Sequence, residues 1–421
     1  MINNKAHCID GRALLSLLLV IFLPNFVYVV FETSSLAVGL VLASVLMVAI
    51  NHMQLSSLHR KTFVVVLTLS LLLVSHACYM FYISGEVRAL STIWLVAIFL
   101  TVPILSVRLV KLNYFDLELV FRFLVCSLSV IGWVGLVYVF LFVGFGQKIK
   151  YPFPFSEPSF FALCYGIFSV GYCCVASSRF SVCIIINLVL FAILFPSLTF
   201  LVFSVIICLV MFFRLRSFYF LIGLFILPVV FFAVGYFVIS DIEYFSDRLK
   251  FSDTENITTL VWLQGWDLSY LNFFSTDGRG LGMQMLGEDG SQLGEISYKL
   301  ERLTGKLMNV SSGGFLASKI ISELGLVGLA ISCLYVMFLL WFSLTLVMGR
   351  DHSSQDGEAK RKLILQGVVF GYVVEFFFRG YGYFSPNLYV VVAAVMALYH
   401  INTKEILVGR SSLGVSCSKD V

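Results

Sequence analysis

The sequence predicts an all-α, polytopic bundle of transmembrane helices, and three observations support this fold class. Hydrophobic residues make up 60% of the chain and charged residues only 12%. The mean hydropathy is +0.97, which is far above that of a water-soluble domain. Long apolar runs recur without the alternation of a membrane β-strand, and such runs form helices because unpaired backbone groups are costly in lipid.

Apolar runs of roughly 17–25 residues predict about twelve membrane spans. Nine spans fall in residues 1–240 and three in residues 324–402, which leaves one large outer loop at 241–323 and a tail at 403–421. The predicted helices cover residues 13–31, 34–50, 62–84, 92–107, 120–145, 160–177, 182–195, 198–213, 217–240, 324–348, 363–378 and 388–402.

Two apolar runs need separate interpretation. The run 182–213 is too long for one helix, and Phe195-Pro196-Ser197 supplies a turn that divides it into a hairpin of two short helices. The first run is too long for the apolar part of a signal peptide, and no small-residue cleavage site follows Phe31. It is therefore predicted to be a retained first helix.

Basic residues indicate the orientation of the bundle. With the amino terminus in the cytoplasm, the inner segments hold 17 Lys and Arg residues and the short outer loops hold four, in agreement with the positive-inside rule. The remaining seven lie in residues 241–323, a segment too long for the rule to constrain strongly. Both termini are predicted to be cytoplasmic.

Several classes of site find no support in the composition. The ten cysteines lie in predicted spans or tails and the large outer loop has none, so no disulfide framework is indicated. The six histidines show no zinc-binding spacing. We therefore predict no metal and no cofactor. The net charge of +4 follows from the topology and gives no argument for nucleic-acid binding.

The most distinctive run of the large outer loop is Asp277-Gly-Arg-Gly-Leu-Gly282. Glycines on both sides of Arg279 would let the backbone approach a ligand closely while the guanidinium points at it. A phosphate group is the natural partner for such an arginine. A flexible turn with a solvated arginine stays open as an alternative, since Gly-x-Gly patterns have low specificity.

A second candidate lies at the outer end of the sixth span, where Glu157 stands between prolines in the run 151–161. A carboxylate held at the membrane interface can accept a proton from a sugar hydroxyl or hold that hydroxyl by hydrogen bonding. The structural alternative is a helix start at which Ser156 or Ser159 forms the cap and Glu157 interacts with the helix dipole.

The third outer segment, at the end of the eleventh span, contains Arg379, Tyr381 and Tyr383 among glycines. Glu375 stands four residues before Arg379, which predicts a pair within one helix. The tyrosines would form a surface on which sugar rings stack. Lys319 and Glu323, also four residues apart, are predicted to form a capping or surface pair.

Together these segments resemble the Wzy-type polymerases of O-antigen or capsular repeat units, which belong to the O-antigen polymerase and ligase superfamily. The resemblance covers the architecture from about residue 60 onward. The residues that carry it are Ser156-Glu-Pro-Ser159, Arg248, Trp266, Gly278-Arg-Gly-Leu-Gly282, the run 314–328 and Arg379-Gly-Tyr-Gly-Tyr383.

The resemblance implies a GT-C-like membrane glycosyltransferase of the bacterial inner membrane, inverting and independent of metal. Its donor and acceptor would both be oligosaccharides on undecaprenyl pyrophosphate at the periplasmic face, with membrane lipid and a chain-length regulator as further partners. The implied site residues are Arg248, Arg279 and Arg379 on the pyrophosphate, Glu157 on the acceptor hydroxyl, and Trp266, Tyr381 and Tyr383 on sugars. Interfacial anchoring is the alternative role of the three aromatic residues.

Two other membrane functions stay open. An O-antigen ligase shares the implied fold, but such ligases usually have a functional histidine in the large outer loop, and residues 241–323 contain none. A flippase for lipid-linked oligosaccharides would place charges deep in several helices, whereas this chain keeps its charges near helix ends and in the outer loop. A non-enzymatic scaffold would leave the outer arginines unexplained.

Overall fold

The computed structural model describes residues 10–52, 60–138, 141, 152–195, 197–215, 256–348 and 357–414. All regular structure in these ranges is helical, and five of the described helices are long and apolar enough to cross a membrane. The predicted fold class is confirmed at this level: the chain has the architecture of a helical membrane protein. The total of about twelve spans and the GT-C-like arrangement stay predictions.

The helices of the amino-terminal part follow one another with short connections. They are α1 Gly11–Val30, α2 Ala37–Ile50, α3 Arg60–Ser84, a 3₁₀ turn Val87–Ser91, α4 Thr92–Lys111, α5 Tyr114–Tyr138, α6 Pro158–Cys173, α7 Ser178–Leu194 and α8 Leu198–Leu215.

The carboxy-terminal part begins with three helices that do not read as membrane spans. They are α9 Ile257–Ser275, α10 Glu295–Thr304 and α11 Leu316–Leu324. The remaining helices are α12 Leu326–Met348, α13 Gly357–Gly371, α14 Val373–Phe377 and α15 Pro386–Gly414.

Comparison with the predicted spans gives one confirmation and two corrections. The predicted hairpin is confirmed, because α7 ends at Leu194 and α8 begins at Leu198. The large outer segment is not a simple loop, since its described part is built around α9, α10 and α11. The predicted helix 363–378 is interrupted at Tyr372, between α13 and α14. The predicted span 217–240 lies outside the described residues.

Local capping chemistry explains several helix boundaries. The Asp10 carboxylate accepts hydrogen bonds from the first backbone amides of α1, and the Asn256 side chain does the same for α9. Such caps satisfy amide groups that have no partner inside the helix. At the carboxy-terminal end of α10, Gly305 takes a left-handed conformation, which glycine adopts without a steric penalty.

Helix α6 lies at the centre of the bundle and packs against α5, α8 and α13. Nearly every residue from Ser159 to Cys173 is buried. Glycines permit the closest approach: a Cβ on Gly367 of α13 would stand 2.9 Å from the Cα of Gly171. Small residues at such contacts let helix backbones pack tightly where lipid provides no hydrophobic driving force. The central position of α6 fixes the place of Glu157 at its start.

Ion pairs join groups that the predicted topology places on the same side of the bundle. Arg108 pairs with Asp10 at 2.9 Å on the predicted cytoplasmic side. Arg88 pairs with Glu288 at 2.7 Å on the predicted outer side. The alternation of the spans across the membrane stays a prediction.

Candidate functional site

A buried hydrogen bond holds the base of the closing loop, which we define as residues 378–385, between α14 and α15. The Glu375 side chain has no exposed surface, and its Oε2 accepts a hydrogen bond from Asn387 Nδ2 at 2.7 Å. Helix α14 ends at Phe377. The predicted pair between Glu375 and Arg379 is therefore wrong, because the helix ends before Arg379 and Glu375 points into the protein.

Arg379 pairs instead with Glu157, at the amino-terminal end of α6. Its Nη2 donates a hydrogen bond to Glu157 Oε2, and Ser159 Oγ donates to the same oxygen at 3.1 Å. The Arg379 and Glu157 side chains stay 40% and 49% exposed. Glu157 occupies the cap position of α6, but its carboxylate makes no capping hydrogen bond. The carboxylate therefore binds the arginine and does not cap the helix.

Two aromatic rings lie beside this ion pair. The Arg379 guanidinium stands 5.8 Å from the centre of the Phe160 ring, a favourable cation–π distance. Phe160 in turn stacks on Tyr381 with ring centres 3.7 Å apart. The Tyr381 hydroxyl donates a hydrogen bond to Asn25 Oδ1 of α1 at 3.3 Å. We call Glu157, Phe160, Arg379 and Tyr381 the outer arginine site.

The outer arginine site combines a permanent cation with a half-exposed carboxylate. The arginine guanidinium carries five N–H donors, and that of Arg379 donates to no described residue besides Glu157. Donors therefore stay available for an anionic ligand. The Oε1 atom of Glu157 accepts no hydrogen bond from a described residue, which leaves it free to accept one from a hydroxyl group. The site can thus bind an anion and a hydroxyl side by side.

The glycine loop, defined as residues 277–290, follows α9 and presents Arg279. Gly278 and Gly280 adopt φ angles of 74° and 81°, in the left-handed region that favours glycine. A Cβ on Gly280 would lie 2.5 Å from the carbonyl oxygen of Glu323, so the loop runs directly along the backbone of α11. The Arg279 side chain is exposed, and the structure gives it no ion pair with a described residue.

Arg279 and Arg379 are held near opposite ends of α11. The closing loop is tied to the segment before α11 by a hydrogen bond from Gly380 N–H to Gly314 O at 3.2 Å, whereas the glycine loop is bonded to the last turn of α11. Helix α11 has nine residues, so its two ends are about 12 Å apart. The structure therefore brings Arg379, and not Arg279, to Glu157.

The aromatic residues of the predicted sugar surface are divided between different environments. Tyr381 belongs to the outer arginine site. Tyr383 is only 8% exposed, and the Lys319 amine lies 5.1 Å from the centre of its ring, so Tyr383 does not form a surface. Trp266 is half-buried, with its ring centre 5.0 Å from that of Phe315. It contributes to packing between α9 and the segment before α11.

Lys319 and Glu323 form the predicted pair, but the prediction of a capping or surface position is wrong. The amine and carboxylate are 3.7 Å apart with 6% and 0% of their side chains exposed. The physical reason is that the glycine loop and the closing loop cover this face of α11. Burial lowers the pKa of the Lys319 amine, and the negative charge of Glu323 opposes that effect.

Two further predictions concern Arg248 in the outer segment and the absence of a metal. Arg248 lies outside the described residues. Within the described ranges no group of His, Cys, Asp and Glu side chains has the arrangement of a metal site. The prediction that no metal takes part stays a prediction.

Three residues that form or support the outer arginine site were not identified from the sequence. Phe160 adjoins the Ser-Glu-Pro-Ser run but reads as one more apolar residue of a span. Asn387 follows the closing loop, where an amide is common at a helix start. Asn25 did offer a signal, because a polar amide within an apolar span calls for a specific partner. That partner, Tyr381, is far away in the sequence.

Fold and site together define a helical membrane protein with an arginine–carboxylate pair and stacked aromatic rings at one surface of its bundle. No protein-family model matches the chain, and no curated protein or solved structure shows significant similarity to it.

Proposed function

We propose that the chain is a Wzy-type polymerase, which joins oligosaccharide repeat units carried on undecaprenyl pyrophosphate at the periplasmic face of a bacterial inner membrane. One observation carries this proposal: Arg379 is half-exposed at the predicted outer surface, paired with Glu157 and flanked by stacked aromatic rings. The site offers a cation for pyrophosphate, an oxygen for a hydroxyl and an aromatic edge for a sugar.

The reaction transfers a glycosyl chain between two lipid-linked substrates. A hydroxyl oxygen of the acceptor unit forms a bond to the anomeric carbon of the donor chain, and the bond between that carbon and the pyrophosphate oxygen breaks. Negative charge grows on the leaving pyrophosphate. An arginine stabilises this charge through two parallel hydrogen bonds and keeps its own charge at any physiological pH.

Glu157 has two roles in this proposal. Through Oε2 it orients the Arg379 guanidinium. Through Oε1 it accepts the hydrogen bond of the acceptor hydroxyl and takes up its proton as the new glycosidic bond forms. Glu157 acts at the bond that forms and Arg379 at the bond that breaks, and these bonds share one anomeric carbon. The two side chains must therefore belong to one site, which agrees with the contact between Glu157 and Arg379.

Chain length on a gel tests the proposal in cells. Cells that lack the gene receive wild type, Arg379→Ala, Arg379→Lys or Arg302→Ala at matched membrane expression. We expect Arg379→Ala to reduce polymerisation by about a hundredfold, so that the ladder collapses to a single repeat unit. Arg379→Lys restores charge but not the planar fork, and we expect only partial recovery. Arg302 is an exposed arginine of α10 and serves as the matched control.

The rival functions give a pattern different from that of a polymerase in this assay. Loss of even the single repeat unit on the acceptor, when the gene is deleted, would indicate a ligase or a flippase. A full ladder without the gene, or with Arg379→Ala, would contradict the polymerase proposal. A ladder shortened equally by Arg302→Ala would show that general damage, and not the site, is being measured.

A further inference from the structure

The buried Lys319–Glu323 pair lies directly below the glycine loop and is bonded to its backbone. Glu323 Oε2 accepts a hydrogen bond from Gln284 N–H at 2.9 Å, and Oε1 accepts one from Leu286 N–H at 3.2 Å. The backbone oxygen of Glu323 accepts a third from Gly282 N–H at 2.8 Å. One buried residue thus accepts hydrogen bonds from every second backbone amide of the loop, those of Gly282, Gln284 and Leu286.

The conformation that these bonds hold is a strained one. Gln284 has a φ angle of 64°, in the left-handed region that is unfavourable for a residue with a side chain. Strained backbone persists only where surrounding contacts fix it, and it concentrates at functional segments. The Glu323 carboxylate supplies such a contact, because it accepts a hydrogen bond from the backbone N–H of Gln284 itself.

Lys319 connects the glycine loop to two other outer segments. Its amine donates hydrogen bonds to Gln284 Oε1 at 3.1 Å and to Ser311 O at 3.0 Å, and it lies over the Tyr383 ring of the closing loop. The same ammonium therefore holds the glycine loop, the segment before α11 and the closing loop in one arrangement.

Stability alone is a poor explanation for this pair. Removing two charges from water is costly, and buried ion pairs are often no more stabilising than apolar residues of similar size. Their value in such a case is geometric, because each charged group fixes the position of its partners. Here most of the partners belong to the loop that carries Arg279.

We propose that Lys319 and Glu323 are positioning residues, which fix the glycine loop so that Arg279 meets the pyrophosphate of a lipid-linked substrate. The identity of that ligand rests on the proposed function. The dependence of the loop conformation on Glu323 does not, and the two parts are tested separately.

Hydrogen exchange of the purified protein tests the loop. In Glu323→Gln the two amides that donate to the carboxylate lose a charged acceptor. We expect exchange across residues 281–290 to become at least about tenfold faster, since strongly protected amides respond to the local opening equilibrium. Lys319→Met is the second variant, with the same expectation. Glu301→Gln, at an exposed carboxylate of α10, is the matched control and should leave the loop unchanged.

Only variants that elute as a single species from gel filtration are compared. Unchanged exchange in residues 281–290 in both folded variants would overturn the positioning role. Faster exchange everywhere in the protein would also overturn it, because the pair would then support the whole fold and not the loop.

A double-mutant cycle on the polymerisation rate tests the link to Arg279. If Glu323 acts through Arg279, then Arg279→Ala combined with Glu323→Gln is no slower than the slower single variant. Multiplied losses would overturn that link. A wild-type protein without polymerase activity would refute the proposed function alone, and the exchange result would still decide whether Glu323 positions the loop.

Discussion

Glu375 and Arg379 stand close together in the chain and face opposite environments. Glu375 has no exposed surface, and its Oε2 is bound by Asn387, whereas Arg379 is half-exposed beside Glu157. The end of α14 at Phe377 separates the two. Glu375 therefore closes the loop that carries Arg379 and does not neutralise it.

Substitution of Glu375 tests this division of roles. Glutamine has nearly the same shape and keeps an oxygen that accepts the amide of Asn387, so we expect Glu375→Gln to fold with little loss of stability. Alanine leaves the Asn387 amide without its partner and opens a cavity. We therefore expect Glu375→Ala to lower the free energy of unfolding by about 2–4 kcal/mol. The measurement is thermal unfolding in detergent. Equal damage from both variants would show that the charge, and not the hydrogen bond, is what matters.

The sequence identified the residue types of the site better than their partners. Glu157, Arg379 and Tyr381 were all predicted, because an acid between prolines and an arginine among glycines are unusual in an apolar chain. The contact between Glu157 and Arg379 joins residues 222 positions apart, and such a contact leaves no local pattern. The spacing of Glu375 and Arg379 was misleading because it assumed a continuous helix.

At the scale of elements, α11 and the glycine loop form one unit. The loop passes so close to α11 that a Cβ on Gly280 would stand 2.5 Å from backbone atoms. The φ angle of 81° adds a conformational requirement. Sequence patterns indicated a glycine-rich turn here. They did not indicate that buried charges of a neighbouring helix hold it, since burial depends on which segments cover that helix.

A pair of glycine substitutions separates close contact from backbone conformation. Gly280→Ala must displace the loop from α11, and we expect loss of polymerisation and a lower unfolding midpoint. Gly290 also has a positive φ angle, of 92°, but an added Cβ would meet nothing within 4 Å. Gly290→Ala therefore carries only the conformational penalty, roughly 1–2 kcal/mol.

The Gly280→Ala and Gly290→Ala variants are compared by unfolding in detergent and by chain length in cells. If Gly290→Ala reduced the unfolding midpoint and the chain length as much as Gly280→Ala, the close contact between the loop and α11 would not be needed for function.

At the scale of the whole molecule, composition was sufficient to predict the fold class, because only helices tolerate long apolar runs in lipid. The predicted hairpin at Phe195 followed from proline chemistry and is confirmed. The helical content of the outer segment was missed, since α9 and α11 are too short or too mixed in polarity to read as spans. Which outer segments meet depends on helix packing, for which a single sequence carries little information.

Thiol labelling tests the predicted orientation of the molecule. Arg302→Cys places a thiol on exposed α10, in the segment predicted to lie outside. A membrane-impermeant maleimide should label this variant in intact spheroplasts and leave wild type unlabelled. Permeabilised cells should then label wild type at Cys8 and Cys417, in its predicted cytoplasmic ends. Labelling of wild type before permeabilisation, without labelling of Arg302→Cys, would reverse the orientation.

Reconstitution with a single substrate tests the central claim most directly. Purified protein in lipid vesicles receives one undecaprenyl-pyrophosphate-linked repeat unit, and products are separated by chain length. The polymerase proposal predicts chains of two or more units, one undecaprenyl pyrophosphate released for each new bond, and loss of both with Arg379→Ala but not with Arg302→Ala. Recovery of the substrate unchanged from correctly folded wild type would contradict it.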